Sequence, residues 1–104
     1  MSKKHKRKHL GQFVIGPMSC AVVEVPDLRN ADGARLYGEY SPLPSEIRLH
    51  PGIDPGKRKA VIVHEAIHAI DDVYCIGLSE KQTHRLATAV TMMVRDNPEW
   101  FEKE

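Results

Sequence analysis

One run, Val61-Ile62-Val63-His64-Glu65-Ala66-Ile67-His68-Ala69-Ile70-Asp71-Asp72, constrains this chain more than any other. Its apolar residues recur around most of a helical circumference, the pattern of a helix buried on several sides. Ala60, Val63, Ile67 and Ile70 line one side, and Ile62, Ala66, Ala69 and Val73 another. A single polar stripe passes between them: His64, His68, Asp71 and Cys75. Polar groups carried into a buried helix must be hydrogen-bonded or put to use. Imidazoles at i and i+4 project side by side and can share one divalent ion, with Glu65 on an adjoining face.

The flanks delimit the helix. Asp54-Pro55 supplies an acidic N-cap and a proline at the first helical position, and Gly77 supplies a C-terminal stop. These signals predict a helix over residues 55–76. A second helix opens at Ser79, with Gln82 three residues on completing a capping box, and closes before Asn97-Pro98. Thr83, Leu86, Ala87, Val90, Met93 and Val94 form its expected inner side, with Trp100 and Phe101 folding back on the body.

Upstream, the period changes from helical to alternating. Phe13-Val14-Ile15 is closed by Gly16-Pro17, and the β-branched run of residues 20–25 ends at Pro26. Residues 35–40 form a weaker strand in which Gly38 marks an expected bulge, and Glu46-Ile47-Arg48-Leu49-His50 alternates cleanly up to Pro51-Gly52. Strands that all precede the helices, joined by short links, favour antiparallel pairing. The expected fold is therefore α+β: a small antiparallel sheet of three to four strands, then an antiparallel helix pair carrying His64 and His68.

At 104 residues the chain is long enough for one modest core. No apolar run approaches a membrane span, and the basic N-terminus lacks the apolar segment of a secretory signal. Cys20 and Cys75 each sit among apolar residues, the pattern of reduced, core-packed thiols in a cytoplasmic protein. The net charge of +1 hides an asymmetry, because residues 1–9 hold five of the fifteen Lys and Arg and no acid. Residues 1–10 read as a basic, solvated arm and residues 11–104 as the folded domain. Nucleic acid is a weakly supported partner through residues 3–8, since no aromatic side chains interleave the basic ones.

His-Glu-x-x-His is the spacing of a helix-borne zinc site in which the glutamate is general base towards a bound water. Catalytic zinc takes three protein ligands, so a third residue is needed besides His64 and His68. With a hairpin turning at Gly77-Leu78, residues whose numbers sum to about 155 lie at equal height. That register sets His84 opposite Asp71, within about one turn of His68, and Glu80 opposite Cys75. It favours His84, while splayed helices would bring in Glu80 instead. His50 is a more distant candidate. The strand of residues 46–49 directly precedes the helix and is expected to be an edge on which an extended peptide docks.

Through the strand Glu46-Ile47-Arg48-Leu49-His50-Pro51, the helix bearing His64-Glu65-Ala66-Ile67-His68-Ala69-Ile70-Asp71 and the second helix from Leu78-Ser79-Glu80 to Asn97-Pro98, the chain resembles the zincin-like metallopeptidases. Within them it looks like the short peptidase-like proteins encoded by phages and other mobile elements. The resemblance spans residues 46–98. It implies a peptide or protein substrate, zinc, His64 and His68 as ligands, Glu65 as base, and a downstream Glu or His as third ligand. The chain is small beside such enzymes and lacks the C-terminal subdomain that walls their cleft. Two expectations follow: a partner protein that completes the cleft, or an inactive metal-binding interaction module.

Overall fold

The computed structural model describes residues 6–101. It is an α+β fold of four strands, β1 (Lys8–Ile15), β2 (Met18–Glu24), β3 (Gly38–Pro42) and β4 (Ser45–Leu49), followed by α1 (Pro55–Tyr74), α2 (Glu80–Asp96) and the short α3 (Pro98–Phe101). The sheet order is β1-β2-β4-β3. β1 and β2 form an antiparallel hairpin around Gly16, whose φ of +52° suits glycine. A Cβ there would stand 2.1 Å from the Tyr74 hydroxyl at the end of α1, so a side chain at this turn would displace the exposed Tyr74 ring.

The sheet is mixed, which departs from the antiparallel expectation. β3 and β4 are an antiparallel hairpin, but β4 lies parallel to β2. After β2 the chain crosses through residues 25–37 to the far edge, lays down β3, and returns β4 into the gap beside β2. β4 is therefore interior, and the free edge beside the helices belongs to β3. The expectation that residues 46–49 form the docking edge is corrected accordingly. The long crossover carries no pattern that announces where the chain will land.

The alternation in β4 works as its sequence predicts. Ile47 and Leu49 are fully buried and join Ile15, Cys20, Val22 and Ile53 against Ala66 and Ala69 of α1. Small side chains on α1 allow the helix to lie close to the sheet. On the other face Arg48 bridges Glu46 (2.8 Å) and Glu39 (3.1 Å), and Arg7 reaches the same Glu46 oxygen. Burial alone would raise the Glu46 carboxyl, but Arg48 and Arg7 outweigh it and hold it below the ordinary value. Arg58 of α1 pairs with Glu24 of β2 and closes the helix N-terminus onto the sheet.

Both helix starts fall where predicted. Pro55 opens α1, although Asp54 contributes its carbonyl and not its side chain as a cap, accepting from Lys57 and Arg58 N–H. Ser79 and Gln82 form the reciprocal capping box of α2. The end of α1 differs. The helix stops at Tyr74, not residue 76, because Cys75 adopts φ +53° and the following link folds back. Its carboxylate oxygen Oδ1 places Asp71 at the centre of that link, accepting from Gly77 N–H at 2.6 Å and Leu78 N–H at 3.1 Å. Cys75 is consequently exposed, not core-packed; Cys20 is buried, and both thiols are free. Burial pushes the Cys20 thiol up.

α2 packs on α1, and only part of its expected inner face is covered. Thr83 and Ala87 are buried, whereas Leu86, Met93 and Val94 are exposed. Trp100 (78% exposed) and Phe101 stand on α3 in solvent, so they do not fold back on the body. At the other end, Lys8–Leu10 belong to β1 and Arg7 pairs with Glu46, so these residues are part of the folded body. Lys3 and Lys4 lie outside the described residues. Among the described residues no helix is long and apolar enough to cross a membrane.

Thr83 is fully buried with its hydroxyl unpaired. A buried polar group without a partner carries its full desolvation penalty. Thr83→Val keeps the shape and the helix propensity, and should stabilise the fold by about 1 kcal/mol in urea denaturation.

Candidate metal centre

The i, i+4 spacing places the His64 and His68 rings on one face of α1 with centroids 5.0 Å apart, both half-buried towards α2. Opposite them stands Glu80, the first residue of α2. Its Oε1 lies 3.0 Å from His64 Nε2 and 3.3 Å from His68 Nε2. All three ligand atoms fall within 4.8 Å of one another. Tetrahedral bonds of about 2.0–2.2 Å separate neighbouring ligand atoms by about 3.3–3.6 Å. Two imidazole nitrogens and one carboxylate oxygen grouped this closely are a donor set that could hold a divalent metal ion.

The chain brings Glu80, not His84, into this group. His84 lies beside it, its ring 5.9 Å from that of His64 and tilted by 55°. The cause is the link between the helices. Asp71 draws Gly77 and Leu78 back to its own level, so the hairpin does not turn at Gly77-Leu78. The contacts Glu80–His68 and His84–His64 both pair residues whose numbers sum to 148, about two helical turns from the flush register of 155. Asp72 is engaged elsewhere, accepting from the Tyr40 hydroxyl at 2.9 Å. His50 is occupied in its own turn, where Nδ1 accepts from Gly52 N–H.

Glu65 is buried between α1 and β3, only 9% exposed. Burial pushes its carboxyl up to about 7; His68 and the Tyr40 backbone amide oppose the rise, and Glu80 and Glu39 add to it. Tyr40 keeps its phenolic proton, pushed up to about 12 by burial and by Asp72. Two clefts open on either side of Glu65. One, of about 540 Å³, runs between α1 and α2 and is walled mainly by apolar groups, including Val61, Ala87 and Met92. The other, of about 560 Å³, runs along β3 past Tyr40, His68 and Glu80. Gly38, His64 and Glu65 line both.

The sequence singles out the histidine pair and Glu65 and sets Asp71 on the same polar stripe, whereas nothing in it signals the close approach at Gly38. Gly38 is not a bulge. It pairs regularly with Leu49 and lets β3 approach α1. Comparison of the chain with protein-family models, curated proteins and solved structures finds no match to any of them.

The raised Glu65 carboxyl predicts how the metal-free protein responds to pH. Its folded value of about 7 exceeds the ordinary 4.5. Between these two values the folded state holds a proton that the unfolded chain has lost. Stability should be highest below pH 4.5 as far as this group is concerned, and fall as pH rises towards 7, by roughly 3 kcal/mol in all. In chelator-treated protein, Glu65→Gln should flatten that slope and unfold at higher denaturant than wild type at pH 8.

Proposed function

We propose that this chain is a zinc-dependent peptidase in which His64, His68 and Glu80 hold the metal and Glu65 is the general base. One observation carries the reading: a single Glu80 oxygen meets both imidazole Nε2 atoms at 3.0 and 3.3 Å, beside a buried glutamic acid with near-neutral affinity for its proton. Zinc, when bound, supplies Lewis acidity towards a carbonyl oxygen and acidifies water. The residues of the chain do the rest. A carboxyl titrating near neutrality can accept a proton from water and pass it to a leaving amine, the work of a general base and then acid. The burial that raises Glu65 also keeps bulk water from competing for that proton. β3 is the edge strand beside Glu65, and its backbone groups other than the Tyr40 amide, which Glu65 takes, can align an extended peptide by strand addition. The apolar cleft between α1 and α2 takes an adjoining side chain. With Cys75 exposed and both thiols free, a reducing cytoplasm is the compartment that fits.

The second reading, a metal-binding interaction module without hydrolysis, is favoured by the apolar surface on α2 and α3, where Leu86, Met93, Trp100 and Phe101 stand in solvent.

Protein purified without chelators should carry about one equivalent of zinc by elemental analysis; less than half an equivalent counts against both readings. Glu80→Ala should weaken zinc binding about a hundredfold, while His84→Ala should leave it within about threefold. Asp71→Ala should cost about 1–3 kcal/mol of stability and weaken zinc binding through Glu80, read by denaturation and by competition with a chromogenic chelator. Glu65→Gln should keep the metal and lose cleavage of a quenched fluorescent peptide library. A zinc-loaded wild type that cleaves nothing in the library leaves the interaction module.

A further inference from the structure

α2 has two apolar faces, and α1 covers only one of them. Thr83 and Ala87 are buried towards α1, and Glu80 and His84 stand on the same side at the metal centre. At about 100° of turn per residue, Leu86, Val90 and Met93 fall within an arc of about 60°, roughly 110° round the helix from that side. Leu86 is 41% and Met93 47% exposed, and Val90 between them is half-buried. The row steps by four residues and then three, the spacing of a helix that packs along a second helix. Single apolar side chains on a surface need no partner, but a row of them along a helix marks a contact face.

The charges beside this row select what covers it. Arg85 and Asp96 flank it on one side, at nearly equal distances in sequence from Val90. Among the described residues Arg85 has no ion pair, and Asp96 meets only its neighbour Arg95, at 3.1 Å with both side chains well exposed. When two helices pack antiparallel, one flank of the first meets the same flank of the second. With a two-fold axis at Val90, opposite residues have numbers that sum to about 180. Val90 then meets Val90, Leu86 meets Met93, and Arg85 meets Asp96. Parallel packing would instead set Arg85 against Arg85 and Asp96 against Asp96.

We propose that this face binds a second copy of the chain: two α2 helices pack antiparallel about a two-fold axis at Val90, with Arg85 of each beside Asp96 of the other. The contact is isologous, so it closes at two copies. Glu80 and His84 lie on the α1 side of the helix, so the metal centre stays open in the dimer. The inference does not rest on the peptidase reading, and it gives the apolar surface of α2 a specific occupant. One helix of about 25 Å against its twin is a small contact, so association is weak, with a Kd of roughly 10–100 µM.

Sedimentation velocity of the full chain from about 1 to 500 µM should show monomer passing to dimer and no larger species. Val90→Glu sets two carboxylates face to face on the axis, and should weaken association at least about a hundredfold. Arg85→Glu and Asp96→Arg each create two like-charged pairs per dimer, and each should weaken it about tenfold at low salt. An equimolar mixture of these two variants pairs Glu with Arg at both sites of the mixed dimer, and should associate within about threefold of wild type. Mixing cannot repair a fold, so this recovery reports the contact between copies itself. A wild type that stays monomeric to about 500 µM overturns the proposal and leaves the face to a different protein. So does a Val90→Glu chain that dimerises like wild type, or a mixture no tighter than either single variant.

Discussion

The two hydrogen bonds that Asp71 accepts from the backbone of Gly77 and Leu78 determine what this molecule can be. Bonds to an ionised carboxylate are about twice as strong as neutral ones, and here they fix the level at which the second helix begins. An exposed glutamate meeting two histidines holds much less free energy. Glu80 therefore does not draw α2 into place. The link does, and Glu80 arrives opposite His64 and His68 as a consequence. Had the hairpin turned where Gly77 invites it to, the register would have shifted by about two turns and set His84 beside a different stretch of α1. One carboxylate at the end of α1 thus selects between two candidate ligands on α2.

The sheet contributes at the opposite wall. β4 is anchored by Ile47 and Leu49, both fully buried against the small residues of α1. That contact sets the distance between sheet and helix, and β3 inherits it through its hairpin with β4. At so short a distance only glycine is tolerated at position 38. The crossover through residues 25–37 matters for the same reason. By carrying β3 to the edge and returning β4 inside, it leaves β3, not β4, as the edge strand beside Glu65, where the Tyr40 amide N–H donates to the Glu65 carboxylate.

Features encoded within a few residues were legible in the sequence. The histidine pair, the Ser79–Gln82 capping box, the stop at Asn97-Pro98 and the alternating burial of Ile47 and Leu49 all depend on local periodicity or on one turn of backbone. Features set by long-range geometry were not. The parallel pairing of β2 with β4 follows from where a patternless crossover lands. The nearness of Glu80 to the histidines follows from a bond between residues six and seven apart across a non-helical link. The exposure of Leu86 and Met93 shows the same limit from another side: their spacing gives an apolar face, but periodicity cannot say whether a fold this small has anything to lay against it.

Glu65 remains the least comfortable group in the fold. Among the described residues no arginine or lysine pairs with it, and two further carboxylates, Glu39 and Glu80, act on it in the same unfavourable direction as burial. A chain shaped by stability alone would place an apolar side chain or an amide here. Positive charge held by His64, His68 and Glu80 would act on Glu65 in the sense that His68 already does, favouring the ionised form, and would offset the field of Glu80. Were a metal ion held there, its binding and the loss of the Glu65 proton would be coupled, each promoting the other. The strain that burial imposes on Glu65 in the metal-free protein is what makes its protonation responsive to the neighbouring trio, and an exposed glutamate at the same position would respond far less.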